Sequence, residues 1–518
     1  MKYYIILILL VALAFANSIQ NSFVWDDYGL IVENPRINLP INEIPSIFIK
    51  PMWKMAGYAE YKQVYYRPMV SLLFVLNYKA WGLNPTGFHL INIFAHLIAV
   101  IILYRTGLFL FADEKNKELI SLIAASIFAV HPVHNESVGR AASGEVIFGL
   151  FVILALYFYL REKKYLSLIT FFLALLSKEP AVMFPFALLI LTTHKKGLKK
   201  GLIEIIPYFA LIGVYLILRI MTLDTVLGMK VSEPVFTRIL TMAVATLDYI
   251  RLLSIPYPLS LFYPARWYSS IFEPKVIIAI MLLISISYLL FKLRKDNTML
   301  FLISFPFIML LPVIWRVNTF PAGQDLSSIA ERFLYVPAML FSLFAVAAVI
   351  SLSGDKGKRY VLIGAILITG IFSAITVYAN RIWTTNITLF EKIVEKSPNS
   401  LLGHFALGDA YRKAGFLDKA MREWQIALQL NPNQIELFNA VGNIYFLRGD
   451  YEKAINMYET ALIKGSQTVE LYYNLALSLE SVGKKDKASV YYREFIKIAP
   501  AQYKDIVSEL KIRLGNSK

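Results

Sequence analysis

Trp25-Asp26-Asp27-Tyr28 sets two adjacent carboxylates among aromatic rings, shortly after the first apolar run of the chain, residues 3–16. A carboxyl group beside apolar surface has its charged form disfavoured, so its pKa rises and it can take a proton near neutral pH. A helix cap or a solvated turn would use the same pair without any chemistry. A second group follows at His131-Pro132-Val133-His134-Asn135-Glu136, with Arg140 and Glu145 close behind. It holds two of only six histidines. His131, His134 and Glu136 have the chemistry of metal ligands, but their spacing matches no strong zinc pattern. With no cysteine in the chain, a divalent metal would rest on oxygen and nitrogen ligands. A metal is possible on this basis and not favoured. Lys178-Glu179-Pro180 and Glu331-Arg332 place charge pairs at the ends of apolar runs. Ionisable groups there are costly toward lipid and point to a site, or else to an interfacial salt bridge.

The elements that would position these groups are membrane spans. Of 518 residues, 57% are hydrophobic. Crossing the hydrocarbon takes roughly 20 apolar residues. The first run resembles a signal peptide at Ala14-Phe15-Ala16, but a retained first span is preferred, because the residues after it need tethering. Further runs cover 88–111, 119–131, 144–160, 165–178, 180–193, 202–220, 275–291, 298–315, 331–352 and 360–378, which makes eleven spans. Every second connection is short and basic: Lys115/Lys117, Arg161/Lys163/Lys164, Lys195/Lys196/Lys199/Lys200, Lys292/Arg294/Lys295 and Lys356/Lys358/Arg359. Lysine and arginine bias marks these as cytoplasmic. The outer side then holds 17–87, 131–143, the Lys178 turn, 221–274 and 316–330, and with them every charged group named above. Segments 68–83 and 238–254 are expected to lie along the outer interface, since spanning would invert the alternation of basic loops. The net charge of +16 thus points to anionic lipid and not to nucleic acid.

After residue 398 a repeat of 34 residues emerges. Gly415, Gly449 and Gly483 share it, as do Ala420, Ala454 and Ala488. Gly408 and Gly442, Ala427 and Ala461, and Pro398, Pro432 and Pro500 fit the same grid. That period with small residues at fixed places signals TPR helix pairs. The expectation is a half-repeat over 381–399, three repeats over 400–501 and a capping helix over 502–515, with the domain boundary after residue 380. The fold class is all-α: a transmembrane bundle and then an α-solenoid.

The chain has no P-loop, no dinucleotide fingerprint and no G-x-S-x-G elbow. An enzyme acting outside the cytoplasm needs a donor that crosses the membrane, and a lipid-linked one does.

In order, Trp25-Asp26-Asp27, Tyr66-Arg67-Pro68, Asn84-Pro85 to His89, His131-Pro132-Val133-His134-Asn135-Glu136, Ser177-Lys178-Glu179 and Ala330-Glu331-Arg332-Phe333-Leu334-Tyr335-Val336-Pro337, followed by TPRs, resemble the transmembrane-and-TPR-repeat O-mannosyltransferases of the GT-C superfamily and their prokaryotic relatives. The resemblance covers nearly the whole chain, and is thinnest over 198–330. It implies a polyprenyl-phosphate sugar donor, with mannose the expected sugar, and inverting transfer to a protein Ser/Thr at the outer face of the cytoplasmic membrane. It implies a general base at Asp26 or Asp27, with Asp27 preferred. Arg67, Arg140, Lys178 and Arg332 would bind the leaving lipid phosphate, and Glu136 and Glu179 would orient those groups or the sugar. His131, His134, Glu145 and Glu331 complete the expected substrate-binding set. The sequence departs from the family where Gly139-Arg140 is followed by Ala141-Ala142-Ser143-Gly144-Glu145, since the family places an acidic residue directly after Ala. The array of three repeats is also short. TPRs would recruit a protein or peptide acceptor on the extracytoplasmic side. Two rival readings are an assembly protein of the cell envelope, which would tolerate changes at Asp26 and Asp27, and a transporter of lipid-linked sugar. A transporter predicts inverted repeats and midplane charges, and the sequence has neither.

Overall fold

The computed structural model describes residues 1–52, 65–223, 233–261, 263, 266–315, 329–500 and 503–515, without the side chains of 194–196. The described residues are helical, with no strand among them. They form two compact units, Met1–Leu389 and Phe390–Lys518. Most of the expected loop 316–330 lies outside the described residues.

The first unit contains α1 (Lys2–Phe15), α2 (Pro68–Trp81), α3 (Pro85–Leu110), α4 (Lys117–Ala129), the short α5 (Asn135–Gly139), α6 (Glu145–Leu160), α7 (Lys164–Ser177), α8 (Phe184–Lys196), α9 (Leu198–Thr222), α10 (Val235–Ser254), α11 (Pro274–Lys292), α12 (Asn297–Trp315) and α13 (Tyr335–Asn380). Each apolar run of the sequence is a helix, and so are 68–81 and 235–254. Six helical stretches among the described residues are long and apolar enough to cross a bilayer, the last of which, Glu331–Trp383, holds two expected spans. The four other expected spans are helices of 13 to 16 residues. At 1.5 Å per residue, 16 residues reach about 24 Å.

The chain is a multi-pass membrane protein. Ile278, Met281, Ile284 and Tyr288 form one stripe of α11 at helical spacing, each more than half exposed. Such a stripe is costly in water and at home against lipid tails. Local chemistry sets the ends. Asn84 accepts from the Thr86 N–H at 3.1 Å and Pro85 starts α3, as N-cap and N1 residues do. Gly354, at φ +60°, breaks α13 between its two apolar halves.

The second unit contains three helix pairs. They are α15 (Leu401–Lys413) with α16 (Leu417–Leu430), α17 (Ile435–Leu447) with α18 (Tyr451–Ile463), and α19 (Val469–Ser481) with α20 (Lys485–Ile498). Helix α14 (Asn386–Lys396) precedes them and α21 (Lys504–Gly515) follows them. The 34-residue register is a packing rule. A Cβ on Gly408 would come within 2.2 Å of Trp424, and one on Gly442 within 2.6 Å of Tyr458. Gly415, Gly449 and Gly483 turn the chain inside each pair at φ of +83°, +79° and +78°, where glycine is unstrained. Gly442→Val should therefore cost about 1–3 kcal/mol by overpacking. Thermal unfolding of the full chain would register it as a lowered TPR transition.

Candidate active site

One end of the bundle carries the charged residues. Glu145 starts α6 and Lys178 follows α7, while Arg161, Lys163 and Lys164 lie at the far ends of the same two helices. The charged groups and the basic turns are thus a helix length apart.

A cavity of about 110 Å³ opens at the charged end. Its walls include Asp26, Tyr65, Arg67, Arg140, Glu145, Ser177, Lys178, Arg332 and Phe333. Four cations face two carboxylates, which leaves an excess of two positive charges when all are ionised. Asp26 is a third exposed and lies 3.5 Å from Arg140 Nη1. Lys178 Nζ donates to Glu145 Oε1 at 2.5 Å, and Arg332 Nε stands 3.9 Å from the same oxygen. Burial pushes the Lys178 ammonium down to about 8, against the pull of Glu145, so it stays protonated at neutral pH. Arg140 Nη2 donates to the Ala142 carbonyl at 3.1 Å. Its Nε is buried without a hydrogen-bond partner among the described residues. Phe333 lies under Lys178 at 4.9 Å and under Arg332 at 5.0 Å, as in cation–π contacts.

Behind the cavity, carboxylates orient the cations. Glu136, buried, accepts from both the Arg332 guanidinium and the Arg332 N–H, the latter at 3.0 Å. Glu179 accepts from Arg67 Nη2 at 2.7 Å and pairs with Arg219 at 3.4 Å. These bonds fix the direction of long, flexible side chains.

The structure thus brings six of the expected site residues into one cavity: Asp26, Arg67, Arg140, Glu145, Lys178 and Arg332. Glu136 and Glu179 stand behind it. It does not bring in the other four. Asp27 is fully buried, with Oδ2 accepting from the Val24 N–H at 2.9 Å and Oδ1 from the Ala142 N–H at 2.8 Å. One oxygen closes the first loop on itself and the other ties that loop to the turn before α6. His131 sets Nε2 3.1 Å from the Leu253 carbonyl. His134 is packed among Phe128, Tyr335 and His96 at ring distances of 4.5, 4.9 and 5.5 Å. Burial pushes both histidines down, His131 to about 4, so both are neutral core residues. Glu331 accepts from Ser260 N–H and Tyr263 Oη, each at 2.7 Å, and from Asn135 at 3.0 Å. It pins the segment after α10 and does not line the cavity.

Several residues escaped the sequence reading. Arg219, in the last turn of an apolar helix, carried the same span-end signal as Lys178. Asn135 joins Glu331 to Trp383, whose Nε1–H it accepts at 2.8 Å. Asn386 accepts from the Trp25 N–H at 2.8 Å. No local pattern signals either contact.

Desolvation raises the buried Asp27 carboxyl to about 6, with Arg140 and its two backbone donors opposing. A carboxyl whose folded pKa exceeds its unfolded one binds more protons folded than unfolded between the two values. Its contribution is therefore fully present below about 4 and is lost as pH rises through about 6. The contribution of Asp27 alone should fall across that window by an amount on the order of 3 kcal/mol. His131 and His134, pushed down by burial, act in the opposite sense, so thermal unfolding against pH should show the Asp27 effect as a difference in slope between the native chain and Asp27→Asn.

Three stretches of the chain match models described as TPR repeat, at residues 408–447 and 442–483, and as tetratricopeptide repeat, at 469–502. A protein O-mannosyl-transferase of Caenorhabditis elegans is 26% identical over 83% of this chain and 63% of its own length. Protein O-mannosyl-transferase TMTC3 of Mus musculus is 24% identical over 83% of this chain and 51% of its own length. Human TMTC1 is 25% identical over 81% and 54%. The chain spans between half and two thirds of the length of these relatives. Among solved structures, that of ArnT from Cupriavidus metallidurans bound to undecaprenyl phosphate overlaps 96% of this chain and 80% of its own, with a TM-score of 0.38 and 13% identity. That likeness is too loose to define a shared fold. Across more than four fifths of its length, then, the chain is similar to proteins named O-mannosyl-transferases, the family that its motifs resemble.

Proposed function

We propose that the chain is an inverting membrane glycosyltransferase that moves a sugar, mannose first among candidates, from a polyprenyl-phosphate carrier to a hydroxyl of a protein. The carrying observation is the cavity that sets one of its two carboxylates, Asp26, beside Arg140 among four cations. A departing lipid phosphate gains negative charge as the glycosidic C–O bond breaks. Fixed cations where charge develops lower that barrier. Arg67, Arg140, Lys178 and Arg332 supply them. The acceptor oxygen attacks the anomeric carbon from the opposite face, and its proton passes to Asp26.

Asp26 is the base in this proposal, not Asp27 as the resemblance suggested. Asp27 has both oxygens occupied and no path to the cavity, whereas Asp26 lines it. Positive-inside alternation turns the cavity outward from the cytoplasmic membrane, with the TPR unit on the same side to recruit the acceptor.

The test is transfer of radiolabelled mannose from polyprenyl-phosphate mannose to protein by the full chain in liposomes. Label that appears with the native chain and is lost in Asp26→Asn supports the reading. Full transfer by Asp26→Asn, or no transfer from any polyprenyl-phosphate sugar, overturns it.

A further inference from the structure

The last residue of α13 and the strip after it are hydrogen-bonded to the end of α1 and to the loop that carries Asp26. Asn380 donates to the Ala14 carbonyl at 2.8 Å and to Asn17 at 3.0 Å. Ser22 N–H donates to the Thr384 carbonyl at 3.0 Å. Trp25 N–H donates to Asn386 Oδ1 at 2.8 Å. All of these residues lie within Met1–Leu389.

Trp25 is where this matters. Its φ is +50°, in the left-handed region that a bulky side chain rarely adopts. That conformation reverses the chain immediately before Asp26. The turn is closed by Asp27 N–H on the Val24 carbonyl at 3.0 Å and by Tyr28 N–H on the Trp25 carbonyl at 3.1 Å. It is pinned on one side by the Ala142 N–H on Asp27 and on the other by Asn386 on the Trp25 N–H. Asp26 stands between the two pins. A strained backbone persists only where its surroundings overdetermine it.

We propose that Asn386 is a positioning residue for the transfer reaction. By accepting the Trp25 N–H it holds the reversed turn that points Asp26 into the cavity beside Arg140. Asn386 does not line the cavity, so its effect falls on the rate of the chemical step and not on donor binding. The kinetic half of this inference rests on the glycosyltransferase reading, while the structural half does not.

The absence of native cysteine permits a test of each half in the full chain. For the kinetics, Asn386→Ala is expected to lower kcat by about 100-fold, the scale at which a small misplacement acts. Donor KM should stay within about twofold, as for an interaction that matters only in the transition state. Asn386→Asp keeps an oxygen acceptor and should recover most of the rate. For the structure, a single thiol is placed by D26C and its labelling by a water-soluble maleimide is timed, since that rate follows the exposure of the thiol. Adding N386A to D26C should change the rate severalfold, and adding N386D should leave it nearly unchanged. The proposal is overturned if Asn386→Ala keeps the native kcat and N386A leaves the labelling rate of D26C unchanged. It is overturned equally if Asn386→Asp is as impaired as Asn386→Ala. If the native chain transfers no sugar at all, the function reading fails by itself, and the labelling rates alone decide whether Asn386 positions residue 26.

Discussion

Asp26→Asn is expected to lower sugar transfer by about 100- to 10,000-fold, the range that a positioned general base contributes. Asparagine keeps the size of the side chain and its place 3.5 Å from Arg140, but cannot take a proton. Donor affinity should change little or improve, because removal of a negative charge leaves the four cavity cations less compensated. Single-turnover rates at saturating donor separate the two effects. The neighbouring change Asp27→Asn should behave differently. It replaces one of two acceptor oxygens by a donor, facing Val24 N–H or Ala142 N–H. The loss is in stability, at about 1–3 kcal/mol for an unsatisfied buried group. Turnover per folded molecule should fall much less than in Asp26→Asn. Equal loss of turnover in both variants would sink the distinction between base and brace.

Arg332→Ala should have the second largest effect, through two separable causes. Removal of a cation aimed at the developing phosphate charge is expected to lower kcat by about 100- to 1,000-fold. It also strands Glu136, which is 3% exposed, without its guanidinium. A buried carboxylate left unpaired costs about 3 kcal/mol or more. The double variant R332A/E136Q tells them apart. Neutralising Glu136 should restore most of the thermal stability and none of the transfer. Arg332→Lys should keep the charge, lose the forked contact with Glu136 and fall between the two. Transfer restored by the double variant would mean that Arg332 serves the fold and not the leaving group.

Much of this was legible in the sequence because it is periodic. Hydropathy marked the helices, and the 34-residue grid marked the TPR pairs and the small residues at Gly408 and Gly442, but not the rings of Trp424 and Tyr458 that require them. Alternation of basic turns is enough to place Glu145, Lys178 and Arg332 at one end. The role of neighbouring residues was not legible. Asp26 and Asp27 are equivalent in one dimension and part only because Trp25 reverses the chain at φ +50°. His131 and His134 carry the chemistry of a metal site and are spent as neutral packing. The bond between Trp383 and Asn135 spans 248 positions, and that between Asn386 and Trp25 spans 361. Such contacts arise from tertiary closure, which local pattern does not encode. The boundary between units was expected after residue 380 and falls after Leu389, because Asn380, Trp383 and Asn386 all bond into the first unit.

That last feature bears on how such a chain can be recombined. A graft that joins a foreign repeat array at residue 380 would discard Trp383 and Asn386, and with them the hydrogen bonds that brace Asn135 and Trp25. A graft joined after Leu389 would keep them. The exchangeable cassette therefore begins some way downstream of the last apolar run, and the short strip between belongs to the inheritance of the membrane part.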